Sequence, residues 1–429
     1  MTRNYKVSES ILEKAKKSIP LGSQTFSKSI TQFPYGVSPY FAKKGKGAII
    51  WDVDNNEYID FINSLLSVSI GYADEDINNA VKSQIDMGVT FSLSHPLELE
   101  VADKLIDLVP CAEMVRFGKN GSDSTSAAIR LARAFTKKDI VLVCGYHGWQ
   151  DWYIGSTSRS LGVPESIQKL TKVFQYNSFD SFNTLINEYS GRIAAVIMEP
   201  MNTTFPKKGF LEHIRVVTKK EDIVLIFDET ITGCRFAKGG AQELFGVTPD
   251  LATFGKGIGN GYPLSAVMGQ KDIMSLMEDI FYSGTFAGET ASLAAANVVL
   301  DKIKYDGVCD KLESLGQYLM KNVNVLILQH KLENVIECIG HPSWSFLTFK
   351  DTDDLTALSI KTYFMQEMFE RGILTFGTHN LSFSHTKEHV DILLSAYDEF
   401  FSLLTLAIEN NDIQELLNCD VLVPLFKVR

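Results

Sequence analysis

From residue 140 to residue 268 the chain alternates short, continuously apolar runs with longer stretches of helical spacing. The runs 140–144, 193–198, 223–227 and 265–268 show no polar alternation and are too short for helices. Strands buried on both faces read this way, so the pattern predicts a parallel sheet covered by helices on either side. Residues 98–109 and 126–135 have helical spacing, as do residues 292–303. Residues 8–18 predict a short amphipathic helix, ended by Pro20, Leu21 and Gly22. Apolar and polar positions alternate over 46–60 around Asp54, Asn55 and Asn56, which predicts a β-hairpin. Beyond residue 303 helices dominate, with a few strands, notably 345–349. The expected fold is α/β: a large domain over 71–310, plus a smaller α+β domain formed by the segments 1–70 and 311–429 from both chain ends.

In an open α/β sheet, ligands meet residues just past the carboxyl ends of strands. Asp228 ends one predicted strand, Glu199 ends another, and Tyr146, His147 and Gly148 follow a third. Downstream of Asp228, Lys256 lies in the glycine-rich turn Thr253, Phe254, Gly255, Lys256, Gly257. A lysine in such a turn is ordinarily solvated, and a strand-end aspartate is often only a helix cap. Together they make the pair that pyridoxal 5'-phosphate (PLP) chemistry requires. The lysine amine forms a Schiff base with the cofactor aldehyde, and the aspartate keeps the pyridine nitrogen protonated. Asn120, Gly121, Ser122, Asp123, Ser124 and Thr125 precede the helical run 126–135. Small residues ahead of a helix let backbone N–H groups close on a phosphate, assisted by the helix dipole. Tyr146 is placed to stack on a cofactor ring, with His147 beside it.

Other chemistries are excluded. Gly255, Gly257, Gly259 and Gly261 run into Tyr262 and Pro263, not into a helix, so they are not a dinucleotide loop. No Gly-Lys-Ser/Thr follows the spacing of a P-loop. The acidic run Asp351, Thr352, Asp353, Asp354 lacks the rest of a calcium loop, and His385 and His389 have no third zinc ligand nearby in sequence. The net charge of −11 over 429 residues argues against general nucleic-acid binding. An apolar fraction of 45% and a charged fraction of 22% are those of a globular protein, and no apolar run reaches membrane-spanning length. Six scattered cysteines without a CxxC pair, and an N-terminus unlike a signal peptide, predict a cytoplasmic protein.

These residues, taken in order, resemble those of class III PLP-dependent aminotransferases, specifically the branch containing glutamate-1-semialdehyde 2,1-aminomutase. The matching segments are 45–54, 114–122, 197–200, 225–233, 239–242, 246–251, Lys256 and 284–288. The similarity runs from about residue 18 to about residue 400. The resemblance implies a PLP fold type I homodimer, like aspartate aminotransferase, with PLP and pyridoxamine 5'-phosphate as alternating cofactor forms. It assigns Lys256 and Asp228 as catalytic. It gives Asn120, Gly121 and Ser122 to the phosphate, with Thr285 from the second subunit. Tyr146 and His147 would lie on one ring side, Thr230 (where the family usually has valine) and Ile231 on the other, and Asn202 at the ring hydroxyl near Glu199. The substrate side departs from the aminomutase: Lys28 stands at an arginine position, Leu65 at a tryptophan position and Gly377 at a glutamate position. The expected activity is therefore amino transfer from a small-molecule donor such as glutamate to an aldehyde or ketone, with Trp149, Trp152 and His379 lining a sugar-like acceptor's pocket. The alternatives are the intramolecular aminomutase and a non-catalytic binding protein on this fold.

Overall fold

The computed structural model describes residues 3–423. Two compact units emerge. One holds a seven-stranded sheet of β1 (Met114–Gly118), β2 (Ile140–Cys144), β3 (Thr171–Val173), β4 (Ile193–Met198), β5 (Val224–Asp228), β6 (Leu251–Phe254) and β7 (Ser265–Gly269), in the order β1-β7-β6-β5-β4-β2-β3. The pairs β2–β3, β2–β4, β4–β5 and β5–β6 are parallel. β7 runs antiparallel to both β1 and β6, which departs from the parallel course expected of its apolar run. The reason is the connection: a parallel crossover takes about a dozen residues or more, usually with a helix, and residues 255–264 are too few.

Successive strand residues face opposite sides, which explains the unbroken apolar runs. Val141, Val143, Ala195, Ile197, Val224 and Ile226 pack with Ala128, Leu131 and Ala132 of helix Gly121–Thr136. Ile140, Leu142, Val196, Met198, Leu225 and Phe227 pack with Phe182, Phe210 and Ile214 on the other side. Truncating a fully buried side chain here, Phe210 for example, costs about 3–5 kcal/mol.

Among the described residues the other unit comprises 3–65, 70–74 and 311–423. The predicted hairpin is present as Ile49–Asp52 paired with Glu57–Asp60. Ile373–Leu374, from the far end of the chain, pairs in parallel with Glu57–Asp60, so both chain ends share one sheet. Strand Trp344–Phe349 joins Ile336–His341 and Thr378–Asn380 in a second sheet. No helix among the described residues is long and apolar enough to cross a membrane.

Candidate active site

Five connections at the carboxyl edge of the sheet carry the chemistry. After β1 the chain enters helix Gly121–Thr136; after β2 it forms the turn with Tyr146 and His147; Glu199 follows β4; Asp228 ends β5; Lys256 follows β6. The sheet order brings these together from positions far apart in sequence.

Asp228 is the centre of the network. Its Oδ1 accepts hydrogen bonds from Thr230 Oγ1 (2.6 Å), Thr230 N (3.1 Å) and Thr253 Oγ1 (3.1 Å). Its Oδ2 lies 2.9 Å from His147 Nδ1. Burial by itself would raise this carboxyl, but the His147 hydrogen bond and attraction, with the Thr230 bonds, outweigh it and hold Asp228 below the usual range. Asp228 is therefore an ionised acceptor in a dry setting, as a protonated ring nitrogen requires. His147 is itself buried, its carbonyl held by Thr125 Oγ1 at 2.9 Å, and its Nε2 has no hydrogen-bond partner.

The glycines show how closely the loops approach. A Cβ on Gly121 would sit 3.2 Å from Thr230 Cγ2, and one on Gly255 would meet the same methyl at 3.2 Å. Thr230 thus lies between the helix start and the residue before Lys256. Gly148 has φ +106, and a Cβ there would fall 2.3 Å from Ser122 Oγ, which also accepts from Trp149 N at 3.3 Å. Lys256 adopts a left-handed conformation (φ 45), an outlier for a side chain of this kind. A Cβ on Gly257 would fall 2.2 Å from Ser69 Oγ, so this turn tolerates no larger residue beside the lysine.

Glu199 is buried, and its Oε2 accepts from Tyr146 N (3.0 Å) and Asn202 Nδ2 (2.9 Å). Asn202 Oδ1 is buried and unpartnered. Tyr146 is 37% exposed and meets Tyr153 edge-on at 5.7 Å. Ser122 and Ile231 are buried, whereas Asn120 is exposed. Thr285 is exposed and lines a cleft of about 520 Å³ with Thr90, Arg116 and Gly288.

The aromatic pocket expected for an acceptor does not form from the residues proposed for it. Trp152 is buried, with Nε1 bonded to Ser126 Oγ at 2.9 Å. His379, in the other unit, is fully buried; its nitrogens meet Ser345 Oγ (2.8 Å) and Tyr397 Oη (2.9 Å), and burial lowers it to about 3. Both are core residues, and Trp149 alone is exposed, at 64%. Lys28 is exposed at the end of the turn Phe26–Lys28. Leu65 sits in a left-handed turn with Asn63, Ser64 and Leu66, at a strain of about 1–2 kcal/mol per residue. Gly377 has φ +84, and a Cβ there would lie 2.6 Å from the Leu347 carbonyl.

Sequence reasoning missed Thr253 and Glu229. Thr253 and Phe254, read as the start of the lysine turn, instead end the buried strand β6, because Leu251–Phe254 pairs with both neighbouring strands. Glu229 is fully buried and accepts from Thr232 Oγ1, Ala241 N, Gln242 N and Gln242 Nε2; burial pushes it up to about 7 despite those bonds.

The family model for aminotransferase class-III matches residues 32–393. The chain is 32% identical to a 3-aminobutyryl-CoA aminotransferase of Cloacimonas acidaminovorans, over 91% of this chain and 96% of that protein. It is 35% identical to a glutamate-1-semialdehyde 2,1-aminomutase of Persephonella marina, over 86% and 92% respectively. Among solved structures, the PLP internal aldimine form of the FumI protein of Sphingopyxis sp. MTA144 superposes with a TM-score of 0.87 at 27% identity, covering 94% of this chain and 97% of that one.

Proposed function

Given that this chain belongs to the PLP-dependent class III aminotransferase family, we propose that it moves an amino group from an amino-acid donor, glutamate first, to an aldehyde or ketone. The observation that carries this reading is Asp228, buried and hydrogen-bonded by His147, Thr230 and Thr253 at the edge that also presents Lys256. The residues suit the cofactor: Asp228 offers an anion to a ring nitrogen, Gly121 and Gly255 let the helix start and the lysine turn close on Thr230, and Asn202 Oδ1 is an acceptor without a donor. When bound, PLP supplies an electron sink for the carbon that carries the amine.

In this reading Lys256 anchors the cofactor and then carries the proton between substrate carbon and cofactor as general base and acid. Asp228 keeps the ring nitrogen protonated, and His147, Thr230 and Thr253 keep Asp228 ionised and aimed. Asn120, Gly121 and Ser122 hold the phosphate at the helix start, with Thr285 of a second copy in a homodimer. Tyr146 would cover one face of a bound ring and Thr230 the other, with Ile231 beside it, and Asn202, steadied by Glu199, would take its hydroxyl. All six cysteines are unpaired, which supports a reducing compartment such as the cytoplasm.

The test is the absorption spectrum of the purified holoenzyme before and after L-glutamate. Bleaching of the cofactor band with release of 2-oxoglutarate is expected. Lys256→Ala is expected to slow that reaction by roughly 10²–10⁴-fold, the range for a positioned proton-transfer group. A protein that takes up no PLP overturns the reading.

The aminomutase is the second reading, favoured by the names of several relatives about one-third identical. It requires glutamate-1-semialdehyde to rearrange with no external acceptor. The geometry at Gly377 weighs against it, since a glutamate there would collide with the Leu347 carbonyl and hold a left-handed φ.

A further inference from the structure

Beside the proposed cofactor site lies a cavity of about 670 Å³ that the mechanism above does not use. That volume is typical of small-molecule sites, which run from about 300 to 1,000 Å³. It opens past the carboxyl ends of β2 and β3, with Val143, Cys144, Val173 and Phe174 among its walls. Two of its lining residues, Glu199 and Asn202, belong to the cofactor site itself. A third, Tyr153, packs edge-on against Tyr146. Glu199, Asn202 and Tyr153 are therefore shared between the cavity's wall and the residues proposed for the cofactor.

Its chemistry is distinctive. Thr157, Gln175, Tyr176, Thr203 and Thr204 line it, and no Lys, Arg or His does. Its one carboxylate is Glu199, which is buried. Tyr153 and Tyr176 spend their hydroxyls on the carbonyls of Gly145 and Pro200, both at 2.8 Å, so toward the cavity they offer ring surface. Asn177 is likewise engaged, donating to Phe205 O at 2.9 Å and accepting from Lys207 N at 2.7 Å, which fixes the loop that closes this side. An anionic occupant would meet a buried carboxyl group and no cationic side chain, an unfavourable setting where water is excluded. Hydroxyls and amides beside aromatic faces suit an uncharged, hydroxyl-rich body. Val173, Gln175 and Thr204 are exposed at the mouth, so a longer molecule can extend outward.

We propose that this cavity receives the body of the amino acceptor, and that this body is an uncharged polyhydroxylated carbonyl compound, a sugar in chemical class. The proposal rests on the aminotransferase reading and selects among its acceptors. It sets sugar-like carbonyls against a carboxylate-bearing semialdehyde and against an acyl-CoA.

The experiment starts from holoenzyme converted to its amino form by L-glutamate. Failure at that step would sink the aminotransferase reading and is scored separately. The amino form is then offered dihydroxyacetone, glyceraldehyde and free keto-hexoses, alongside succinic semialdehyde and acetoacetyl-CoA. The rate at which the cofactor band returns is measured for each. Hydroxylated carbonyls are expected to exceed the other two by about tenfold or more in kcat/KM. In Thr203→Phe and Gln175→Ala, each checked for the cofactor band, KM for the best acceptor is expected to rise, by about tenfold in the filled variant, with a smaller change in kcat. A panel in which no hydroxylated carbonyl outperforms the semialdehyde and the thioester overturns the proposal. So does an unchanged KM in Thr203→Phe.

Discussion

Asp228 divides its partners between its two oxygens: hydroxyl and backbone donors on Oδ1, His147 on Oδ2. Burial pushes its carboxyl up and these bonds pull it down, with His147 the largest of the opposing contributions. The sign of the pH response follows. A depressed acid stays ionised as pH falls until its own lowered value is reached, so the acid limb of activity lies below the ordinary aspartate range. His147→Ala removes the main lowering contribution and leaves burial dominant. The acid limb of the pH–rate profile for glutamate-driven bleaching should then move to higher pH. Thr230→Val, which restores the residue usual in the family, should shift the limb in the same direction by less, because Thr253 and His147 remain. An unshifted limb in both variants would show that Asp228 does not govern that titration.

The loops at the sheet edge make a sharper prediction through their glycines. Gly148 is left-handed and its missing Cβ is where Ser122 Oγ lies, whereas Gly246 is left-handed with nothing within 4 Å. Both Gly→Ala changes pay the backbone strain of about 1–2 kcal/mol. Only Gly148→Ala also displaces the helix start. Thermal melting should therefore show both variants weakened, while PLP titration of the apoprotein should show a loss of affinity, about tenfold, in Gly148→Ala alone. At this scale the sequence was partly legible. The runs 140–144 and 193–198 are strands as read, and 223–227 lies one residue from Val224–Asp228. Met114–Gly118 was missed because its side chains are mostly not buried, and Thr171–Val173 because it is three residues long at the sheet edge. His379 read as a residue of the acceptor pocket. It is instead a strand residue with both nitrogens satisfied in a core.

For the whole molecule, two segments of the sheet unit, 87–99 and 281–286, carry several exposed apolar residues. Met87, Leu93, Leu99, Phe281 and Phe286 are 65%, 83%, 65%, 84% and 59% exposed, and Thr290 bonds to the carbonyls of Gly88 and Val89 to hold the two segments together. Leu93 and Leu99 line one cleft with Thr285, and exposed apolar clusters are where partners dock. Sedimentation is expected to show a dimer, and Leu93→Asp is expected to yield monomer that binds PLP more weakly. A second thermodynamic consequence is general. Binding to the folded state adds RT ln(1 + [L]/Kd), so PLP at a hundred times its Kd should stabilise the apoprotein by about 2.7 kcal/mol. A melting temperature indifferent to PLP would contradict the cofactor site.

The sequence by itself determined four of the seven sheet strands, their two-sided burial, the placement of Glu199 and Asp228 at strand ends and the turn that carries Lys256. Those features depend on local periodicity and on short-range order, which neighbouring residues set. Tertiary structure decided the rest. The reversal of β7 follows from how little chain joins it to β6. The pairing of His147 with Asp228, 81 positions apart, and the convergence of Gly121 and Gly255 on Thr230, follow from a strand order that no local pattern encodes. The same is true of the acceptor cavity, whose walls come from three separate connections. Which residues carry the chemistry was written locally; which of them touch was decided by the sheet.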